Sequence, residues 1–145
     1  MNVRPAHLSD VRRIAELSAQ LGYPSTSAEI ESRMECLLTG GRTAIFVALD
    51  DAVVVGWISV RSDLTLEGGS FAEIAGLIVA EGRRGAGIGR ALLEKAEAWA
   101  RERGHGMLRV RSNVVRERAH AFYKRLGYET TKHQAVFDKI LDELP

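Results

Sequence analysis

The chain has 145 residues, 46% of them apolar and 27% charged, with a net charge of +1. That is the make-up of one globular domain, residues 1–145, with a single core. No stretch approaches the roughly 20 apolar residues of a membrane span, the start MNVRPAHLSD lacks a signal-peptide core, and the lone Cys36 has no internal disulfide partner, so the expectation is a cytoplasmic protein without a membrane partner.

Asn2 to Pro5 reads as a short strand. Leu8, Val11, Ile14, Ala15 and Leu17 then recur at helical spacing behind Asp10, giving a first helix that stops near Gln20, before Gly22 and Pro24. Thr26 and Glu29 have capping-box form and open a second helix to about Leu38, which Gly40 and Gly41 end. Its stripe is Ile30, Met34, Leu37 and Leu38, with Cys36 read as a packing residue beside it. Thr43 to Leu49 and Val53 to Arg61 are two strands around Asp50 and Asp51, a hairpin. A polar stretch, Ser62 to Ser70, leads to a central strand from Phe71 to Val79.

A glycine-rich turn follows, then a long helix with Ile88, Leu92, Ala96 and Trp99 on one face. Met107 to Arg111 alternates as a strand, Arg116 to Leu126 is a helix, and Tyr128 to Lys132 with Ala135 to Leu141 makes a last hairpin. The tally is seven strands and four helices, an α/β chain without internal repeat or linker.

The turn is the informative stretch. Gly82, Gly85, Gly87 and Gly89 alternate with Arg83, Arg84 and Arg90 at the opening of a helix. Glycines that dense expose backbone, and a helix N-terminus offers unpaired N–H groups and a positive dipole end, so the turn suits a pyrophosphate or similar anion. A Walker loop fails for want of Gly-Lys-Ser or Gly-Lys-Thr, and a dinucleotide GxGxxG would need Gly where Arg90 stands. Charge supports the same place. Residues 83–125 carry 12 Lys/Arg against 4 Asp/Glu, whereas residues 1–82 carry 6 against 11 and residues 126–145 carry 2 against 4. A phosphorylated cofactor explains that basic middle with fewer assumptions than nucleic acid, because no aromatic residues alternate with the basic ones as a stacking platform would require.

Arg84, Gly85, Ala86, Gly87, Ile88 and Gly89 resemble the acetyl-CoA loop of the GNAT acetyltransferase superfamily at every position. The helix end at ERG 102–104 and the later AHAFYKRLGYE, Ala119 to Glu129, follow in that superfamily's order and spacing, so the resemblance covers essentially the whole chain. It implies a three-layer fold: a twisted mixed sheet of seven strands flanked by four helices, with the central strand splayed from the strand at Met107 to Arg111. The gap takes the pantetheine arm of acetyl-CoA along Leu77, Ile78 and Val79, and the N–H of Ile78 or Val79 polarises the thioester carbonyl. The resemblance also assigns Arg90, Asn113, Ala119, Phe122 and Tyr123 to the cofactor.

Acetylation needs a neutral amine, and a lysine-like amine of pKa about 10.4 is neutral only about once in 2,500 molecules at pH 7, a cost of roughly 4.6 kcal/mol. Glu73, in FAEI, resembles the segment that carries a catalytic glutamate in some relatives and is the candidate base. His120 and a relay water are alternatives, and a plain ion-paired strand-end glutamate is an equal reading of Glu73. Tyr123 stands where the family keeps its general acid. A phenol of pKa about 10 donates a full proton to a thiolate of pKa about 8.5 uphill by about 2 kcal/mol, so the role expected is first a hydrogen-bond donor to the departing thiolate. No histidine pair has metal-ligand spacing, and no metal is expected. The expected function is an acetyl-CoA-dependent N-acetyltransferase that acts on a primary amine of a small molecule or peptide by direct attack in a ternary complex. A non-catalytic acyl-CoA-binding regulatory module is the alternative. A homodimer is the assembly usual among such relatives.

Overall fold

The computed structural model describes residues 2–20, 22–83, 85–112 and 117–142. Two compact units divide the chain, residues 1–111 and residues 112–145.

The first unit is built on five strands in the order of the chain: β1 (Asn2–Pro5), β2 (Thr43–Asp50), β3 (Val53–Thr65), β4 (Gly69–Val79) and β5 (Leu108–Val110). The first four pair antiparallel with their neighbours, and β5 joins β4 in parallel. The expected β2–β3 hairpin forms, and because β2 runs on to Asp50 its loop is the two residues Asp51 and Ala52, which both take positive φ (47° and 66°). The strand β3 continues beyond the expected Arg61 to Thr65 and pairs with Gly69 to Phe71 of β4, so part of the polar stretch 62–70 is strand and not loop. Polar residues are compatible with that because the arm carries its own cross-strand hydrogen bonds, whatever its side chains face.

Helices α1 (Val11–Gln20), α2 (Ser27–Thr39) and α3 (Ile88–Glu102) complete this unit. The capping box of α2 forms as read: the Glu29 N–H donates to Thr26 Oγ1 at 3.1 Å, and the Thr26 N–H to Glu29 Oε1 at 2.9 Å. Of its stripe only Met34 is buried; Leu37, Leu38 and Cys36 are exposed, so Cys36 does not pack as expected. The helix α3 buries Ile88, Leu92, Leu93, Ala96, Trp99 and Ala100. It lies close on β3 because Gly56 has no side chain: a Cβ there would stand 3.1 Å from both Ile88 and Leu92. Alternation puts Gly56, Ile58 and Val60 on this α3 face, and Val55, Trp57, Ser59 and Arg61 on the other.

The second unit holds α4 (Glu117–Arg125). The expected hairpin of Tyr128 to Lys132 and Ala135 to Leu141 is not formed, so the described residues make a sheet of five strands and not seven. The two-residue link His133-Gln134 lacks the Gly or Asn that a tight hairpin turn needs, and an isolated two-stranded hairpin is marginal in water. Val136, Phe137, Ile140 and Leu141 are correspondingly exposed. None of the helices, among the described residues, is long and apolar enough to cross a membrane.

One ion pair ties β1 to the turn before α1. Arg4 donates through Nη1 and Nη2 to Asp10 Oδ2 and Oδ1 at 2.8 and 3.0 Å, and the His7 N–H adds a bond of 2.8 Å to Oδ2. The Arg4 guanidinium, foremost, holds the buried Asp10 carboxyl below the usual carboxylate range; burial opposes it and the His7 N–H assists. Since the folded value is depressed, the stabilisation is present above the unfolded-state value of about 4 and is lost as pH falls through the lower folded value. Asp10→Asn is expected to lower the unfolding free energy by about 1–3 kcal/mol at pH 7 in urea titrations, and the deficit should shrink below about pH 4. A deficit unchanged down to pH 3 would show that the charge is not its source.

Candidate functional site

The strand β4 carries FAEIAGLIV, and its first half is fully paired. Ala72, Glu73 and Ile74 face Leu108, Arg109 and Val110 of β5 on one side and Ser62, Arg61 and Val60 of β3 on the other. Cross-strand partners share a face of the sheet, so Arg61, Glu73 and Arg109 lie together. Glu73 is only 2% exposed. A buried carboxylate must be paired to persist, and both its oxygens are: Arg61 Nη2 donates to Oε2 at 2.8 Å, and Arg111 Nε to Oε1 at 2.6 Å. The Arg109 guanidinium lies over the Phe71 ring, 4.5 Å from its centroid.

The second half of β4 is different. Pairing with β5 ends at Ile74, and Ser59 opposes Gly76 while Val60 opposes Ile74, which leaves Ala75 as a β-bulge. From Ala75 to Val79 the edge turned away from β3 has no partner strand among the described residues. The direction of its backbone groups follows from one bond: the Ala80 N–H donates to the Val55 carbonyl on β3 at 2.8 Å. By alternation Ile78 also faces β3, and Leu77 and Val79 turn their N–H and C=O groups to the open edge. Of the two residues that the resemblance named for polarising a carbonyl, Val79 faces outward and Ile78 does not. On the face shared with Glu73, the Trp57 ring lies across Gly76, where a Cβ would be 2.8 Å from the indole.

The open edge runs on into the glycine turn. Gly82, Gly85 and Gly87 take positive φ of 78°, 86° and 80°, and Gly87 is the left-handed N-cap of α3. No side chain caps this helix end among the described residues, so its first N–H groups point into the loop unsatisfied by side chains. A Cβ at Gly85 or Gly87 would meet nothing within 4 Å. Gly85, Ala86 and Gly87 are exposed, whereas Ile88 is buried and anchors the first turn on the sheet. The arginines beside the loop are engaged elsewhere. Arg83 pairs with Asp50 of the β2–β3 turn, and Arg90 donates to Glu94 one helical turn on at 2.9 Å. Arg84, assigned to the cofactor from sequence, lies outside the described residues.

In the second unit, Ala119, Phe122 and Tyr123 share the half-buried face of α4. Phe122 and Tyr123 pack edge to face at 5.2 Å, and Tyr123 does so with Tyr128 at 5.8 Å. The spacing FY-x-x-x-G-Y has a local cause. The Gly127 N–H donates to the Lys124 carbonyl and the Tyr128 N–H to the Tyr123 carbonyl, a Schellman end in which Gly127 supplies the left-handed residue, φ 93°, and Tyr128 folds back onto Tyr123. Asn113 lies outside the described residues. His120 is half-buried on α4.

A diphosphate fits an uncapped helix end faced by exposed glycines, and a chain of amides fits an unpaired strand edge. In the first unit, Leu77, Val79, Gly85, Ala86, Gly87, Ile88 and Gly89 are therefore the residues that could hold such a molecule. The ion-paired reading of Glu73 holds, but sequence reasoning missed which arginines pair with it, the bulge at Ala75 and the position of Trp57. Only the registers of β4 against β3 and against β5 reveal them, and Arg61 ends its strand in the sequence reading.

Residues 9–128 match the model of the acetyltransferase (GNAT) family. The chain is 27% identical over 139 residues to aminoglycoside N(6')-acetyltransferase type 1 of Stenotrophomonas maltophilia, covering 93% of this chain and 90% of that protein. It is 38% identical over 84 residues to aminoalkylphosphonate N-acetyltransferase of Salmonella typhimurium, 57% of this chain and 54% of that one. The crystal structure of an aminoglycoside 6'-N-acetyltransferase from Acinetobacter haemolyticus has the same fold, with a TM-score of 0.83 at 20% identity over 98% of this chain and 100% of the other. With its glycine turn, its interrupted β4 edge and a family match over most of its length, the chain belongs to the GNAT family of acetyltransferases.

Proposed function

We propose that the protein is an acetyl-CoA-dependent N-acetyltransferase that acetylates the primary amine of a small molecule by direct transfer in a ternary complex. We take the two units as parts of one acetyltransferase domain, since the family match runs across the boundary between residues 111 and 112. The observation that carries the reading is the continuity of the unpaired edge 75–79 of β4 with the uncapped N-terminus of α3 at Gly87. The similarity to acetyltransferases of aminoglycosides and aminoalkylphosphonates supports a small-molecule amine as acceptor.

Acetyl-CoA, when bound, supplies an acetyl thioester and a thiolate leaving group. The N–H groups at the start of α3 hold its diphosphate, and the outward backbone groups of Val79 hold an amide of its arm. Leu77, the outward N–H nearer to Glu73, donates to the thioester carbonyl oxygen as negative charge develops there. Each Glu73 oxygen accepts one guanidinium N–H and keeps a second lone pair, so Glu73 receives the amine proton through a water. Attack by the amine would form the C–N bond as the C–S bond breaks, and Tyr123, which the sequence resemblance assigns as proton donor, would supply the proton that the thiolate takes up. A binding module without catalysis would use the same loop and edge; thiol release with an amine separates the two.

Gly87→Ala is expected to weaken acetyl-CoA binding about tenfold in calorimetry, because the left-handed N-cap is strained by roughly 1–2 kcal/mol and the added methyl enters the loop. Unchanged affinity would remove the loop from the site. Tyr123→Phe is expected to lower kcat at least tenfold while the acetyl-CoA dissociation constant changes less than threefold, as read by thiol release and calorimetry; unaltered kcat would exclude the phenol from the chemistry.

A further inference from the structure

Two guanidiniums bond one carboxylate at the start of the open β4 edge, and a third arginine is its register partner on the neighbouring strand. Arg61 and Arg111 bond to the two oxygens of Glu73, and Arg109 is the register partner of Glu73 on the same face. Among the described residues three arginines thus gather at a single carboxylate, and Arg61 and Arg109 alone outnumber it. The next charge on this face of β3, Asp63, lies 4.0 Å from Arg42 and belongs to that pair. Arg109 has no carboxylate within ion-pair distance among the described residues; its guanidinium lies over the Phe71 ring. Glu73 itself is buried, whereas Arg61 and Arg111 keep about half of their side chains in solvent, 49% and 56%. Among the described residues Arg61 spends only Nη2 on Glu73.

A buried carboxylate that fixes two forks, with a third arginine on the same face of the sheet, holds donors of the kind that an oxyanion accepts. Like charges this close repel one another, and a single anion seated on them relieves that repulsion. The position matters as well. The cluster adjoins the bulge at Ala75 and precedes the outward N–H of Leu77 by about four residues of strand, on the face that Trp57 and Gly76 share.

We propose that Arg61, Arg109 and Arg111 select the acceptor: an amine whose other end carries an anionic group, a carboxylate, sulfonate or phosphonate, separated from the nitrogen by a short chain. This rests on the acetyltransferase reading. The guanidiniums hold the anionic end and leave the amine directed along β4 towards Leu77. Positive charge nearby also disfavours the ammonium form of that amine, which assists its deprotonation. Polycationic amines meet the same charges as repulsion.

The test is thiol release with saturating acetyl-CoA over 2-aminoethylphosphonate, taurine, β-alanine and 5-aminovalerate, set against ethanolamine and spermidine. The expected result is a kcat/KM at least tenfold higher for one of the anionic amines than for ethanolamine, with spermidine the poorest. Arg109→Met, which keeps a side chain on Phe71, and separately Arg61→Met should each cut that selectivity ratio about tenfold, mainly through the KM of the anionic amine, with acetyl-CoA affinity by calorimetry retained. The choice among the three anions follows from which of them leads. Equal or better turnover of ethanolamine or spermidine overturns the proposal, and so does a ratio that neither variant moves. Ethylphosphonate, which lacks the amine, provides a readout independent of turnover. Saturable binding that Arg109→Met weakens supports the anion site even if no amine is acetylated, in which case only the acetyltransferase reading fails. No saturation by ethylphosphonate, β-alanine or taurine at tens of millimolar overturns the anion site whatever the turnover.

Discussion

The structure depends on an interruption: β4 and β5 pair for three residues and then stop. An unpaired strand edge ordinarily invites unwanted association, and on β4 the open stretch is short, residues 75–79, between a bulge and a glycine turn. The bulge does two things at once. It ends the run that pairs with β5, and it rephases β4 so that Leu77 and Val79 direct their backbone groups away from β3. Without the extra residue the outward set would be the even-numbered positions, and Gly76 and Ile78 would line the edge instead.

The same strand leads into the helix end. Ile88 is buried one residue after the left-handed Gly87, and Gly56 lets the first turns of α3 settle on β3. Among the described residues the α3 N-terminus is thereby held by packing and by no capping side chain, which leaves its first N–H groups turned into the loop. Hydrophobic burial positions the polar feature. Of the arginines around the loop, Arg83 and Arg90 are paired to Asp50 and Glu94. Among the described residues it is the backbone, more than those side chains, that carries the loop's capacity for an anion.

Charge around Glu73 is arranged by a different rule. Glu73 is buried and ionically paired on both oxygens, so it holds β3, β4 and the end of β5 at one point. Breaking such a pair leaves an uncompensated buried charge, which ties the geometry of the open edge to the integrity of the cluster. A residue that serves as structural tie and candidate proton acceptor has its two parts joined through the same two oxygens.

Local patterns were legible in the chain itself. The capping box at Thr26 and Glu29, the Asp51 turn, the stripe of α3 and the glycine turn each depend on residues a few positions apart, where spacing alone determines who meets whom. Gly104 and Gly127 end α3 and α4 for the same local reason: each donates its N–H back into the last turn in left-handed conformation. The resemblance of the loop and of FYKRLGY reached the family correctly, because motifs of that kind record backbone requirements. What the sequence could not determine was anything that needs the register between strands. The bulge at Ala75, the guanidiniums on Glu73 and the ring of Trp57 over Gly76 join residues 12 to 38 positions apart. The last hairpin shows the converse limit: alternating apolar residues at 135–141 are a strand pattern, but a strand exists only when another chain segment accepts its hydrogen bonds. Composition and periodicity therefore determined which segments fold and what the turn can hold, and tertiary structure decided which edge stays open and which charges face it, since pairing is a property of two segments and not of one.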